Sequence, residues 1–197
     1  MSLNAEVKIN PSKMESEAFL ELSRAQLLGN CWLKMEGNIN GRAKDGTRRK
    51  RLKINCAAQL IPNKITFMAA INKSQSFKVE HVFGKIHNTK ILEDKRGKDS
   101  DFEKIGISPQ DLSLAFMYWD YLKELYRETI GLSRIECRRF LLADPDSGTF
   151  VKVSISVKYL GPLKVQWYKK GALKEDAHQT LTFEDFAETN LVWHPVE

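Results

Sequence analysis

The chain has 197 residues, a length that suits one domain whose core needs no metal or disulfide. Hydrophobic residues make up 42% of it, including 10 Phe, 5 Tyr and 4 Trp, which excludes a disordered chain. No apolar run approaches the ~18 residues of a membrane helix. The net charge of +6 comes from the first half, where the basic excess peaks at Arg48–Lys53.

The first element is predicted to be a helix over residues 14–28, with Ser12 or Ser16 as its cap and Gly29 at its end. Apolar and polar residues then alternate, which is typical of antiparallel strands with one buried face. Pro62-Asn63 is predicted to form a turn between two of them. The alternating segments of this half are 31–39, 52–60, 65–71 and 77–83, with a short strand near 86–92.

A second helix is predicted over Pro109–Asp120. Ser108 can cap it, and Asp111 stands where an acid favours the helix dipole. Its residues are apolar around nearly the whole circumference, so we expect burial on all sides.

The remainder is predicted to be a meander of strands. Residues 122–129 and 135–143 can pair across Gly131, and Asp144–Gly148 forms a turn. A sheet of ~9–11 strands must curl or close, and the two helices then fit against its apolar concave face. The further strands are 150–160, 163–167 and 180–186, with an edge strand at 191–196.

No motif of a known catalytic or cofactor site is present, so we predict neither an enzyme nor a cofactor. A hydrolase using His81 or His194 is the alternative, although His81 lies on the apolar face of its strand and is interpreted as a partnered core residue. Asp144 and Asp146 suggest a calcium loop, but the sequence around them is typical of an ordinary turn. No metal site is predicted.

The three cysteines, Cys31, Cys56 and Cys137, are too few for a disulfide scaffold and do not identify the compartment. No signal peptide is visible after Met1, which leaves a cytoplasmic protein, or an exported one whose signal is missing from this sequence, as alternatives.

The basic run Arg48–Lys53 has three interpretations. It can follow the phosphates of single-stranded nucleic acid, which is the alternative function for the chain. It can be a solvated strand face that prevents edge aggregation. It can also attract the anionic headgroups of a membrane.

Residues of the second half resemble the bacterial outer-membrane lipoprotein-sorting family, the LolA/LolB-like proteins. The resemblance covers about residues 105–190, and the first half agrees only in the order of its elements. The residues that carry it are DLSLAFMYW at 111–119, Cys137, SGTFVKV at 147–153, GPLKV at 161–165 and TLTFEDF at 180–186.

The resemblance implies an α+β, mainly β fold: one domain over 1–197, an unclosed antiparallel β-barrel with helices covering the concave face and an apolar cavity. It also implies a periplasmic protein, with outer-membrane anchoring as an alternative, that holds the acyl chains of lipoproteins or other lipids and has a membrane surface or envelope proteins as further partners. The well-studied carriers of the family place an arginine in the barrel that latches the lid. Its motif is not found in this sequence, and Arg42 and Arg139 are candidates although neither matches it.

The predicted ligand-binding residues fall into three groups. The resemblance assigns Leu112, Phe116 and Trp119 to the lid, and Val153, Ile155, Val157, Val165 and Trp167 to the cavity wall. Alternation alone adds Leu33, Met35, Ile54, Phe67, Phe77 and Val79 in the first half.

Overall fold

The computed structural model describes residues 10–27, 31–42, 49–71, 75–83, 88–97, 100–104, 108–168, 170–171, 177 and 179–183. These residues form two antiparallel sheets of five strands each. The first sheet contains β1 (Cys31–Arg42), β2 (Arg49–Ile61), β3 (Lys64–Ile71), β4 (Gln75–Val82) and β5 (Asn88–Asp94), side by side in chain order. The second contains β6 (Asp120–Ile130), β7 (Ile135–Ala143), β8 (Phe150–Ser156), β9 (Pro162–Tyr168) and β10 (Gln179–Thr182), also in chain order.

The two sheets do not close into a barrel, because no described strand of one sheet pairs with a described strand of the other. The predicted mainly β, unclosed antiparallel architecture is therefore confirmed, and its ten described strands lie within the predicted range. The proposed edge strand at 191–196 lies outside the described residues.

The alternation in the sequence sets the buried face of the first sheet. In β2 the even-numbered residues from 52 to 60 are buried and the odd-numbered ones between them are more exposed. In β3 the odd-numbered residues from 65 to 71 are the buried ones. The Pro62-Asn63 turn forms as predicted, with Asn63 at φ 63°, a left-handed conformation that Asn tolerates. This face forms one apolar cluster, which includes Ile54, Phe67, Phe77 and Val79.

The first helix, α1 (Ser16–Leu27), covers the second sheet. Phe19 stacks on Phe140 of β7, with ring centroids 5.8 Å apart and an interplanar angle of 12°. Two one-turn helices follow the first sheet, α2 (Asp101–Lys104) and α3 (Pro109–Leu112). No helix among the described residues is long and apolar enough to cross a membrane.

The second predicted helix is wrong in its continuity. Ser108 and Asp111 form the expected reciprocal cap, but α3 ends at Leu112. Leu114 then takes φ 61°, and residues Ala115–Tyr118 form a 3-10 turn. In a straight helix, Leu112 and Phe116 would lie on the same face, four positions apart. The bend instead sends Leu112 into the cluster of the first sheet and Phe116 into that of the second.

The predicted strand over 150–160 is also too long. It ends at Ser156, whose hydroxyl accepts hydrogen bonds from the backbone N–H groups of Lys158 (3.2 Å) and Tyr159 (3.0 Å). A serine that bonds to the backbone in this way stabilises a turn in place of a ladder. Val157 consequently lies in a turn and not in the wall of the sheet.

Candidate functional site

The structure divides the predicted cavity wall between two apolar clusters. Ile54, Phe67, Phe77, Val79 and Leu112 belong to the cluster of the first sheet. Phe116, Val153, Ile155, Val165 and Trp167 belong to the cluster of the second, with Trp119 half-buried against it. Val157 is half-buried in its turn, and Leu33 and Met35 stand opposite Ala58 and Cys56 in the register of β1, with their side chains outside the description.

These inner faces are covered by the protein's own chain. Phe116 is 1% exposed and Val153, Ile155 and Val165 are 0% exposed, so the expected open hollow is filled where they lie. Besides α1, the segment 108–119 covers them, and we call it the cover segment. It lies outside the strand ladders, and its side chains reach both clusters.

Arg24 of α1 fastens the cover segment. Its Nε donates to the carbonyl oxygen of Met117 and its Nη2 to that of Trp119, each at 2.7 Å. In return, the Tyr118 hydroxyl donates to the carbonyl oxygen of Arg24 at 3.1 Å. Burial raises the pKa of Tyr118, so this hydroxyl stays protonated.

A second arginine, Arg138 of β7, fastens the other end of α1. It is 2% exposed, with its guanidinium 4.6 Å from the centroid of the Phe19 ring. It donates to the carbonyl oxygens of Met14 (2.8 Å) and Pro11 (3.2 Å), and its Nη2 lies 2.5 Å from the carboxylate of Glu124. The buried cation thus ties the helix to the sheet.

The hydrogen bond from Arg138 is the main cause that holds the pKa of Glu124 below its ordinary value. Ser16 also donates to this carboxylate, at 2.5 Å. Glu124 therefore remains charged and keeps Arg138 paired.

Of the two predicted latch residues, Arg139 makes other contacts, and the side chain of Arg42 is not described. Arg139 is one position from Arg138 and so points to the opposite face of the sheet, where it donates to Gln166 at 2.6 Å and lies 3.8 Å from Glu128. Arg42 stands opposite Arg49 in β1, with its side chain outside the description. Arg138 lies two residues before Phe140 in an alternating strand, so the sequence could have placed it on the same buried face. No sequence signal singles out Arg24, because a basic residue in the last turn of a helix is common.

A pocket of about 340 Å³ opens where the cover segment meets both sheets. Its apolar side consists of Ala115, Phe116, Trp119 and Trp167. The rest of its lining comes from β4, β5, the cover segment and the β7–β8 turn. These residues are Pro145 and the polar residues His81, Asn88, Thr89, Asp111, Asp144 and Asp146. This volume is at the lower end of the ~300–1,000 Å³ range of ligand pockets.

The polar residues of this pocket are structurally engaged. His81 is 5% exposed, bonds to Thr89 through Nδ1 and packs 4.6 Å from the ring centroid of Phe83. Asp144 accepts from the backbone N–H of Asp146 (3.1 Å) and the hydroxyl of Ser147 (2.6 Å), the pattern of a turn. His194 lies outside the described residues.

A second pocket, of about 400 Å³, surrounds the fastening of Arg24. It is lined by Glu21, Arg24, Ala25 and residues 118–121. Trp119 of the cover segment lines both pockets.

Together the fold and these contacts define a β half-barrel whose apolar interior is covered by a short, fastened segment. A solved structure of a DUF1329 family protein from Desulfovibrio piger is similar, with a TM-score of 0.51 and 13% sequence identity over 86% of this chain and 78% of that chain. The DUF1329 family has a LolA/LolB-like fold, so this likeness supports the resemblance at the level of fold. No family model and no curated protein matches the sequence.

Proposed function

We propose that the protein binds the hydrocarbon chain of a lipid or lipoprotein between its sheets, without catalysing a reaction. The observation that carries this proposal is the 340 Å³ pocket, whose floor of Phe116, Trp119 and Trp167 continues into the apolar cluster of the second sheet. Transfer of each methylene from water to such surroundings is worth ~0.8 kcal/mol. A stretch of about eight methylenes accordingly contributes roughly 6 kcal/mol, which corresponds to a dissociation constant of tens of micromolar.

A longer chain needs the cover segment to move, because the inner faces beneath it are filled. The cover segment suits this movement: no ladder holds it, and Leu114 carries a left-handed backbone that costs about 1–3 kcal/mol in a non-glycine residue. Release of the two bonds from Arg24 frees the part that contains Phe116 and Trp119. Displacement of these two side chains then leaves space between the sheets, which an acyl chain can fill.

The polar side of the pocket discriminates among head groups. Asp111, Asp144 and Asp146 line the pocket, and negative carboxylates repel the like charge of a free fatty acid anion. An acyl chain held in an ester or amide, as on a lipoprotein, carries no such charge. We therefore propose acylated protein or neutral lipid as the ligand in preference to free fatty acid.

Tryptophan quenching by a brominated acyl chain tests the proposal. Trp119 and Trp167 line the pocket, whereas Trp32 is 51% exposed on β1. Bromine quenches indole only on contact, so an acylated peptide with a brominated chain is expected to quench the wild type. Trp119→Phe with Trp167→Phe is expected to remove the quenching, and the matched control Trp32→Phe to retain it. Equal quenching in both variants, or none in the wild type, contradicts the proposal.

The family resemblance supplies the cellular setting of the proposal. We propose that the protein acts in the bacterial envelope, in the periplasm or anchored at the outer membrane, in lipoprotein sorting or a related role. Fractionation of the native host tests this, and recovery with cytoplasmic markers alone contradicts it.

A further inference from the structure

The far end of the β1–β2 hairpin extends past the rest of its sheet. Residues 38–42 pair with residues 49–53, from Asn38 opposite Lys53 to Arg42 opposite Arg49. Among the described residues, the ladder between β2 and β3 begins at Ile54, opposite Ile71. Residues 38–42 and 49–53 therefore form a two-stranded extension, which we call the basic ribbon.

The basic ribbon has a strongly basic composition. Its ten residues include Arg42, Arg49, Lys50, Arg51 and Lys53, and none of them is acidic. Lys53 is exposed. The register also sets Arg42 directly opposite Arg49, and like charges at opposed positions destabilise a ladder. An anionic surface against the ribbon relieves that repulsion.

The composition of the ribbon distinguishes between anionic partners. Single-stranded nucleic acid is held by stacking on aromatic side chains along a basic groove. Residues 37–53 contain no Phe, Tyr, Trp or His. Phosphate-bearing headgroups of a membrane need charge alone, and each nearby basic residue raises binding by about fivefold.

We propose that the basic ribbon docks the protein on the anionic headgroups of a membrane. Its charge complements the surface, and Leu52, its apolar residue on β2, is buried in the cluster of the first sheet and unavailable for insertion. The contact is thus electrostatic adsorption at the headgroup level, which salt weakens by screening. It requires no occupied pocket and stands or fails independently of acyl-chain binding.

Flotation with vesicles of phosphatidylcholine, with or without phosphatidylglycerol, tests the proposal. The wild type is expected to bind only the vesicles that contain phosphatidylglycerol, with a partition coefficient that falls steeply as salt rises. Arg49→Gln with Arg51→Gln removes two cations and is expected to weaken binding about 30-fold. The control, Lys90→Gln with Lys123→Gln, removes equal charge from exposed positions on β5 and β6 and is expected to retain most of the binding.

The proposal is overturned by no binding of the wild type to anionic vesicles, by equal losses in the two double variants, or by salt-independent binding. Displacement of the wild type from vesicles by an oligonucleotide, at a phosphate concentration far below that of the lipid, also overturns the proposal. The ribbon would then bind nucleic acid in preference to lipid headgroups. The salt dependence of the wild type keeps the test decisive even if the ribbon variant is unstable.

Discussion

Removal of the Arg24 side chain is expected to open the cover segment. Arg24→Ala deletes two charge-assisted hydrogen bonds of 2.7 Å, one of which satisfies the carbonyl oxygen of the fully buried Met117. Bonds to charged groups contribute about 1.5–3 kcal/mol each, and the 16% exposure of Arg24 lets water replace part of that. A net loss of about 2–3 kcal/mol raises the open fraction about 30- to 150-fold.

Hydrogen exchange measures this opening residue by residue. We expect faster exchange in the cover segment of Arg24→Ala, together with faster association of the brominated acyl peptide. Glu21→Ala is the matched control, because it removes only the exposed ion pair between Glu21 and Arg24, worth well under about 1 kcal/mol. Tyr118→Phe, which removes the returning hydroxyl, is expected to give an intermediate effect.

Two outcomes would refute this reasoning. Unchanged exchange in the cover segment would mean that apolar packing alone holds it. Equally faster exchange across both sheets would mean that Arg24 stabilises the whole fold and fastens no separate element.

Further predictions concern the buried pair, the pocket and the thiols. Arg138→Ala leaves Glu124 without its main partner and is expected to cost about 3 kcal/mol in urea unfolding; a loss below about 1 kcal/mol contradicts a structural role. The folded-state pKa of Glu124 lies below 4.5, so its contribution is lost as pH falls, and Glu124→Gln is expected to reduce the acid sensitivity of unfolding. Asp146→Asn is expected to improve binding of a fatty acid relative to its methyl ester, and an unchanged ratio argues against charge selection. Burial raises the pKa of Cys56 to about 12 and of Cys137 to about 11, so in Cys31→Ser these thiols should react with maleimide only on unfolding.

The sheets were predictable because their signal is local. Strict alternation in segments such as 52–60 and 65–71 fixes both the strand and its buried face, and the Pro62-Asn63 turn fixes the register between them. The number of strands then requires curvature, and the sequence therefore contains most of the architecture.

The cover segment was not predictable in shape, because its conformation depends on distant partners. The helix predicted over residues 109–120 forms only over α3. Beyond it, the side chains pack into two separate apolar clusters, and the chain makes a left-handed bend at Leu114. Tertiary packing here overrides local propensity.

The two fastening arginines illustrate the same limit. Besides their nearby acidic partners, Arg24 and Arg138 donate to backbone carbonyl groups more than ninety residues away along the chain, and any sequence provides such groups. Backbone acceptors leave no trace in residue identity, so side-chain patterns cannot reveal such bonds. The only sequence signal was the position of Arg138 on the buried face of its alternating strand.

The bend at Leu114 makes one short stretch of chain a shared component of two cores. Leu112 belongs to one core and Phe116, four positions later, to the other. If a ligand displaced Phe116, it would pull on the same short stretch of chain that places Leu112, so we expect binding in one core to alter the packing of the other.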